Sequence, residues 1–484
     1  MSKVSFSQIE QASVCIDAAQ MGPKYNKREG EMLIILKRFP MVVFLCALLM
    51  VGLTVSLSSA GKATKWDVYD WMDRSVIQAY INGASNGDII FFHAGTYDWS
   101  DTPIAYGWVQ ASAIVINNKT LTLRGEAGTL LIGPQSIDGT GESAQGANAF
   151  MITDPDTNND VTFDRLSIQT FLRGIYSIHI TYRDPETNIY VAEPNLRNLT
   201  IKNCTFRDIH RDPISISHIA GDVLIQNNEM SGGRFGFYCD WYWSLDHLAW
   251  QPENTCLQII GNKFSSINHC LLFQQTSNVI IKDNNISGAG LNGGIALSNS
   301  KNGPIISGNV LSNFRWGIYL LGQNLRGAII EKNIIKNVVW GIDVQGCRHV
   351  VSANIVDLGA NSHFGICSDL GNNNYFGQNN IRGTGWCAFW LWGPSPGPDG
   401  AHNETLQANN VDNFIPTWAH FQFDPMTYDN LVIGSGMETN TYIDLGVNNR
   451  IKGLTPLPGG IGQDLIDAIH LRNEILKEAK AVIH

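Results

Sequence analysis

The densest cluster of reactive side chains lies in RDIHRDPISISH (207–218), which gathers Asp208, His210, Arg211, Asp212 and His218 into one turn and the stretch after it. A histidine beside carboxylates suits general acid–base chemistry, and an arginine base next to a neutralised acid suits β-elimination. The competing explanation is a salt-bridged turn. Arg234, Phe235, Tyr238 and Asp240 follow, then an aromatic insertion with Trp241, Tyr242, Trp243 and Trp250 that could overhang the cluster. A second constellation pairs Asp343 in GIDVQ (341–345) with Asp369 in GICSD (365–369). Trp316, Tyr319, Trp340, Phe364 and Trp386 accompany it, and Arg348 and His349 come in the next turn.

Residues so far apart cooperate only if the fold brings them together, and an internal repeat supplies the means. An Asn followed two positions later by an apolar residue recurs at Asn228, Asn262, Asn284, Asn309, Asn333, Asn354, Asn379 and Asn409, with Cys204 in the equivalent place earlier. A second signature follows each Asn, as in WGIYLL (316–321), WGIDVQ (340–345) and FGICSD (364–369), and a third apolar stretch such as AIIEKN (328–333) leads to the next. Three short alternating strands per repeat fit a single-stranded parallel β-helix of about ten coils, in which each strand bonds to its copy one coil above and below. Stacked Asn side chains would form a ladder along one turn. A propeller blade needs a longer period, and no Leu-rich consensus recurs. The alternation points Ile342 and Val344 inward and Asp343 and Gln345 outward.

The opening SVIQAYINGASNGDIIFFHAGTY (75–97), with LTIKNCTF (199–206) and VIIKDNNISG (279–288), resembles the right-handed parallel β-helix repeat proteins of the pectin-lyase-like superfamily over residues 66 to 455. That resemblance implies the fold, and it implies that the outer face of the G-I signature strands forms the substrate cleft. It implies no particular activity. The Asn-Thr-Asp, Asp-Asp and Gly-His-Gly motifs of polygalacturonase-like hydrolases are missing from that face, as is the Asp-Pro-His-Glu signature of alginate epimerases. RIK (450–452) resembles the hydrolases' substrate-binding Arg-Ile-Lys but stands near the end of the stack.

Three outward rows are expected on that face. One is aromatic, with Phe235, Trp316, Trp340, Phe364 and Trp386; a second runs Tyr176, Ser215, Tyr238, Leu272, Ala296, Tyr319, Asp343, Cys367, Phe389 and His420. The third runs Ser217, Asp240, Gln274, Ser298, Leu321, Gln345, Asp369, Leu391 and Gln422. Exposed aromatic rows suit the apolar faces of sugar rings, or else the rings lie beneath the insertions at 179–195, 239–256 and 393–405. Asp343 and Asp369, one coil apart and two residues offset, would have backbones about 8 Å apart, within the range of an inverting glycosidase pair. They are otherwise two solvated aspartates.

Charge and targeting narrow the partners. Lys37 and Arg38 precede the apolar run Met41 to Leu57, which ends in Ser58, Ser59 and Ala60: a signal-peptide layout, or an uncleaved membrane anchor. Either way a secreted, periplasmic or cell-surface location is expected. Without residues 1–60 the net charge is about −12, which excludes a nucleic acid and leaves a polysaccharide or glycan as the expected partner, with calcium the one cofactor to bridge a polyanion. No zinc-type Cys/His spacing occurs. Seven cysteines remain, an odd number; Cys239 and Cys256 could staple the aromatic insertion. Residues 61–455 thus read as the β-helix, capped by an amphipathic helix at Arg74 to Ala84 through Val76, Ile77, Tyr80 and Ile81. After PLPGG (456–460), Gln463 to Ile483 form a second amphipathic helix that covers the last coil or docks on another subunit. Two functions fit: a polysaccharide lyase or glycoside hydrolase, or a non-catalytic carbohydrate-binding or surface scaffold.

Overall fold

The computed structural model describes residues 63–457 apart from 107–110, 136–144, 154–158, 178–180, 184–189, 193–195, 218, 241–255, 275, 291, 301, 323–324, 361, 394–399 and 435–439. The expected signal or anchor segment and the C-terminal helix lie outside the described residues. Among the described residues no helix is long and apolar enough to cross a membrane.

Short parallel strands stack in register along the chain. One wall is a 15-stranded sheet running from Lys65–Val68 to Arg450–Lys452. The other two walls share a 24-stranded sheet, because strands such as Val310–Leu321 and Ile334–Cys347 pass through the corner between them. The stack is therefore longer than the Asn signature alone indicates, since coils before Asn228 and after Asn409 carry other residues at that place.

The glycine of the repeated signature is required at this corner. A Cβ on Gly341 would strike the carbonyl oxygen of Gly365 in the next coil and stand 2.6 Å from Val356 Cγ1 inside the core. Gly317 meets the same obstacle against Gly341. Inward positions then fill the interior with aliphatic rows such as Ile318, Ile342 and Ile366, all essentially inaccessible.

The asparagine ladder forms as expected. Each Asn Nδ2 from Asn228 to Asn379 donates to the Oδ1 of the next Asn at 2.9–3.0 Å, and each backbone N–H donates to the same oxygen. A second Nδ2 hydrogen reaches a carbonyl of the preceding coil, as from Asn309 to Ile281 O at 2.9 Å. Buried amides are thus fully satisfied, which is what makes them tolerable in the interior.

At the N-terminal end the helix Arg74–Gly83 buries Ile77 and Ile81 and packs Tyr80 partly against the core, while Val76 is exposed. The Cys239–Cys256 staple is not formed. Cys239 points into the core in line with Ile216 and Phe273, whereas Cys256 is a half-buried free thiol at the start of the opposite wall.

Candidate active site on the outer sheet face

The outer face follows the expected register through eight coils. Tyr176, Ser215, Tyr238, Leu272, Ala296, Tyr319, Asp343 and Cys367 occupy one column. Then the sequence expectation slips by one residue. Cys367 pairs with Trp390, and Trp390 with Gln422, so Trp390 faces outward while Phe389 lies in the core, stacked on Phe421 at 5.2 Å. The slip arises because GWCAFW lacks the corner glycine: Ala388 stands where Gly365 stood, one position later than the motif suggests. In a strand, a shift of one residue exchanges the two faces. For the same reason Gln422, not His420, closes this column, Trp392 replaces Leu391 in the next, and Cys387 replaces Trp386 in the aromatic row.

Trp386 instead joins a neighbouring file, stacked on His363 at 3.7 Å and on Trp418 at 4.7 Å. His363 accepts a hydrogen bond from Trp340 Nε1 at 2.7 Å, and burial with the nearby Arg315 charge lowers its pKa to about 4. This neutral imidazole and Trp418 were not singled out from the sequence. Alternation analysis anchored on Phe389 and Phe421, rather than on the motif, would have located both.

Of the two alternatives for the aromatic row, open or covered, the structure shows the covered one. Trp316, Trp340 and Phe364 form, with Tyr319, Cys367, Trp390 and Trp392, an apolar cluster separate from the main core, and Trp340 is 2% exposed. The rings therefore lie on the outer side of the sheet but under cover.

Three carboxylates share that covered zone. Asp343 and Asp369 have the expected offset, since Asp343 lies opposite Cys367 and Gln345 opposite Asp369. Both are essentially buried, which corrects the solvated alternative. Gln345 Nε2 donates to Asp369 Oδ2 at 2.6 Å, while Gln345 Oε1 accepts from Gly322 N at 3.0 Å. The third acid, Asp424, accepts from Trp390 Nε1 at 3.0 Å and Gln422 Nε2 at 3.3 Å. It sits past the last signature strand, Phe421–Phe423, where the sequence repeat has faded.

The first constellation resolves differently. Asp212 accepts from Arg173 Nε at 3.3 Å and lies 3.7 Å from Arg211 Nε, all three buried, and Arg173 also donates to Asn148 Oδ1 at 3.4 Å. Burial pushes the Asp212 carboxyl up and the two guanidinium groups pull it back; burial also lowers Arg211. Arg234 lies over Phe235, whose ring leans on Tyr238 and His269. Burial, with the nearby Arg234 charge, lowers the pKa of His269 to about 4. Asp208 does not join this group: it is exposed in the turn and accepts from Gln169 Nε2 at 3.1 Å. His210 is half-buried beside it. Asp240 continues the column Ser217, Asp240, Gln274 along the backbone. Trp241, Trp243 and His218 lie outside the described residues. Among the described residues, no group of three or more His, Cys, Asp or Glu stands close enough to hold a metal ion.

Residues 248–405 match the family described as "Right handed beta helix region". No protein of curated function matches in sequence. Among solved structures, the chain is similar to PfbA, a surface adhesin of Streptococcus pneumoniae, at 14% identity over 74% of this chain and 92% of that one, with a TM-score of 0.49. DFA-IIIase from Arthrobacter chlorophenolicus A6 is similar at 13% identity over 81% and 99%, with a TM-score of 0.45. The family 28 exopolygalacturonase of Yersinia enterocolitica follows at 12% over 83% and 76%, with a TM-score of 0.38. Continuous parallel walls, the corner glycines and the match to the right-handed β-helix family over residues 248–405 make this chain a right-handed parallel β-helix.

Proposed function

We propose that this is an exported carbohydrate-active β-helix protein, a glycoside hydrolase whose catalytic acids are Asp343 and Asp369 on the outer sheet face. The observation that carries the reading is the burial of carboxylates outside the core. Desolvating a charge costs several kcal/mol, and a solenoid gains nothing structural from placing such groups on its exterior. Their offset corresponds to a backbone separation of about 8 Å, from which the two side chains can set their carboxyls at the separation of about 6.5–9.5 Å that an inverting pair uses. In that arrangement one carboxyl protonates the leaving oxygen as the bond to the anomeric carbon breaks. The other takes a proton from the water that attacks the opposite face. Trp386 and Trp418, half-buried and stacked on each other at 4.7 Å, supply flat apolar walls for the sugar rings.

The Arg173–Asp212–Arg211 group fits substrate binding better than proton transfer, because its one carboxyl is already engaged by two guanidinium groups, at 3.3 and 3.7 Å. A lyase reading keeps one observation in its favour, the downward shift of the buried Arg211.

The test is a polysaccharide-degradation screen with and without calcium, followed by Asp343→Asn and Asp369→Asn. Each substitution should lower turnover by about a thousandfold, the scale of general acid–base catalysis, while glycan binding persists. Binding without any product from the native protein would identify a non-catalytic scaffold instead. Unchanged turnover in both variants would remove the acids from the mechanism.

A further inference from the structure

The exterior of the 15-stranded wall carries one column whose character changes partway along the stack. In its N-terminal part the outward residues in register are Thr122, Thr162 and Thr200. From the middle onward the same column presents Ile280, Ile305, Ile329, Val350, Tyr375 and, after Thr405, Leu431. Ile305, Ile329 and Val350 are 37%, 36% and 38% exposed.

A preference for β-branched residues explains threonine as well as isoleucine at such positions, so strand propensity does not require the apolar half. Single exposed isoleucines are ordinary, but a continuous row marks a surface that is covered by something.

We propose that the occupant is the chain's own C-terminal segment, folded as the amphipathic helix 463–483 and laid back along this stripe. The lengths agree. Six coil steps from Leu431 to Ile280 span about 29 Å, and 21 helical residues span about 31 Å. The chain reaches the segment from Arg450–Lys452, the strand next to Leu431 in this wall, and PLPGG (456–460) supplies the reversal. Leu465, Ile469, Leu476 and Ile483 fall on one side of such a helix. The open end of the stack is a poorer fit, although Tyr442, Ile451 and Leu454 are only partly buried there. Its longest final strand, Thr441–Asp444, is about 13 Å, less than half the helix length.

The experiment places the photo-crosslinking residue benzoylphenylalanine at Leu476 in the full-length protein and maps adducts by mass spectrometry. From Leu465, eleven residues advance about 16 Å, or three to four coils, so adducts should fall on Ile329–Glu331 or Val350–Ser352. A triple variant, Ile305→Thr, Ile329→Thr and Val350→Thr, copies the threonine half of the column and should keep the native circular dichroism while lowering the adduct yield at least fivefold. Adducts on Tyr442, Ile451 or Leu454 would make the segment an end cap and overturn the proposal. Adducts between two chains, or none at all, would overturn it equally.

Discussion

Glu404 offers the sharpest test of how the polar interior works. It occupies a second ladder that the sequence repeat does not advertise. Asn374 donates to both of its carboxyl oxygens, at 3.1 and 3.2 Å from N and Nδ2, and Glu404 N donates to Asn430 Oδ1 at 2.8 Å. The side chain is fully buried, and that burial raises its pKa from 4.5 to about 8 against the opposing hydrogen bonds of Ser368 and Asn374. The folded protein therefore holds a proton that the unfolded chain releases above pH 4.5. Its contribution to stability is fully present below that value and is lost as pH rises through 8. Three histidines run the other way. His269, His349 and His363 are lowered from 6.5 to about 4, so their contribution is present above 6.5 and is lost as pH falls toward 4. The histidines, still half-protonated in the unfolded chain at pH 6.5, are unchanged in Glu404→Gln, which is isosteric with the protonated acid, so the difference between the two proteins isolates Glu404. At about 1.4 kcal/mol per pH unit that difference should shrink by about 2 kcal/mol between pH 6.5 and 8. Urea denaturation of both proteins at pH 6.5, 7.2 and 8 measures it. The same pH dependence in the native protein and the variant would refute the argument.

Asn309→Ala should destabilise by about 3 kcal/mol in the same assay at pH 7, because it strands the Asn284 donors and the Ile281 carbonyl in the interior. Gly341→Ala should cost about 3 kcal/mol or more through the collision with the next coil, whereas Gly293→Ala, whose Cβ would meet Trp316 and His269 at 3.5 and 3.8 Å, should change the melting temperature little. Asp212→Ala should cost about 3–5 kcal/mol by leaving Arg173 and Arg211 buried around no carboxylate. A variant with unaltered melting and lost turnover would instead make Asp212 part of the chemistry.

The interior was legible because its determinants repeat. Asn at one turn, glycine at the corner and an aliphatic every second position recur in coil after coil, so each copy corroborates the others. The outer face was legible only where that frame held. At Trp386 to Trp392 the corner glycine becomes Ala388, the motif and the alternation disagree by one residue, and alternation wins because Phe389 and Phe421 stack inside. Asp424 lies past the recognisable signature and Glu404 outside its positions, and their roles depend on residues one coil away. Burial of the aromatic row stood only as one of two alternatives, since it depends on what lies over the sheet and not on the period of the strand. Asp208 shows the opposite error: closeness in sequence to Asp212 suggested a shared site, but the turn aims the two side chains apart.

One backbone position, repeated through the stack, separates what the fold requires from what it merely permits. Inward, Ile318, Ile342, Ile366, Phe389 and Phe421 follow one another, and each is large and apolar because the interior admits nothing else. One residue further on, the same strands present Tyr319, Asp343, Cys367, Trp390 and Gln422 to nearly identical backbone surroundings. Strand geometry cannot explain that variety, since it is the same in every coil. Nor can stability, because a buried aspartate between a tyrosine and a cysteine is costlier than either neighbour. On the function proposed above, that variety answers to a molecule that meets each coil at a different point. On that reading Asp343, with Asp369 two residues further along the next coil, is where such a molecule would be acted on, and their place along the stack would set which of its bonds is reached.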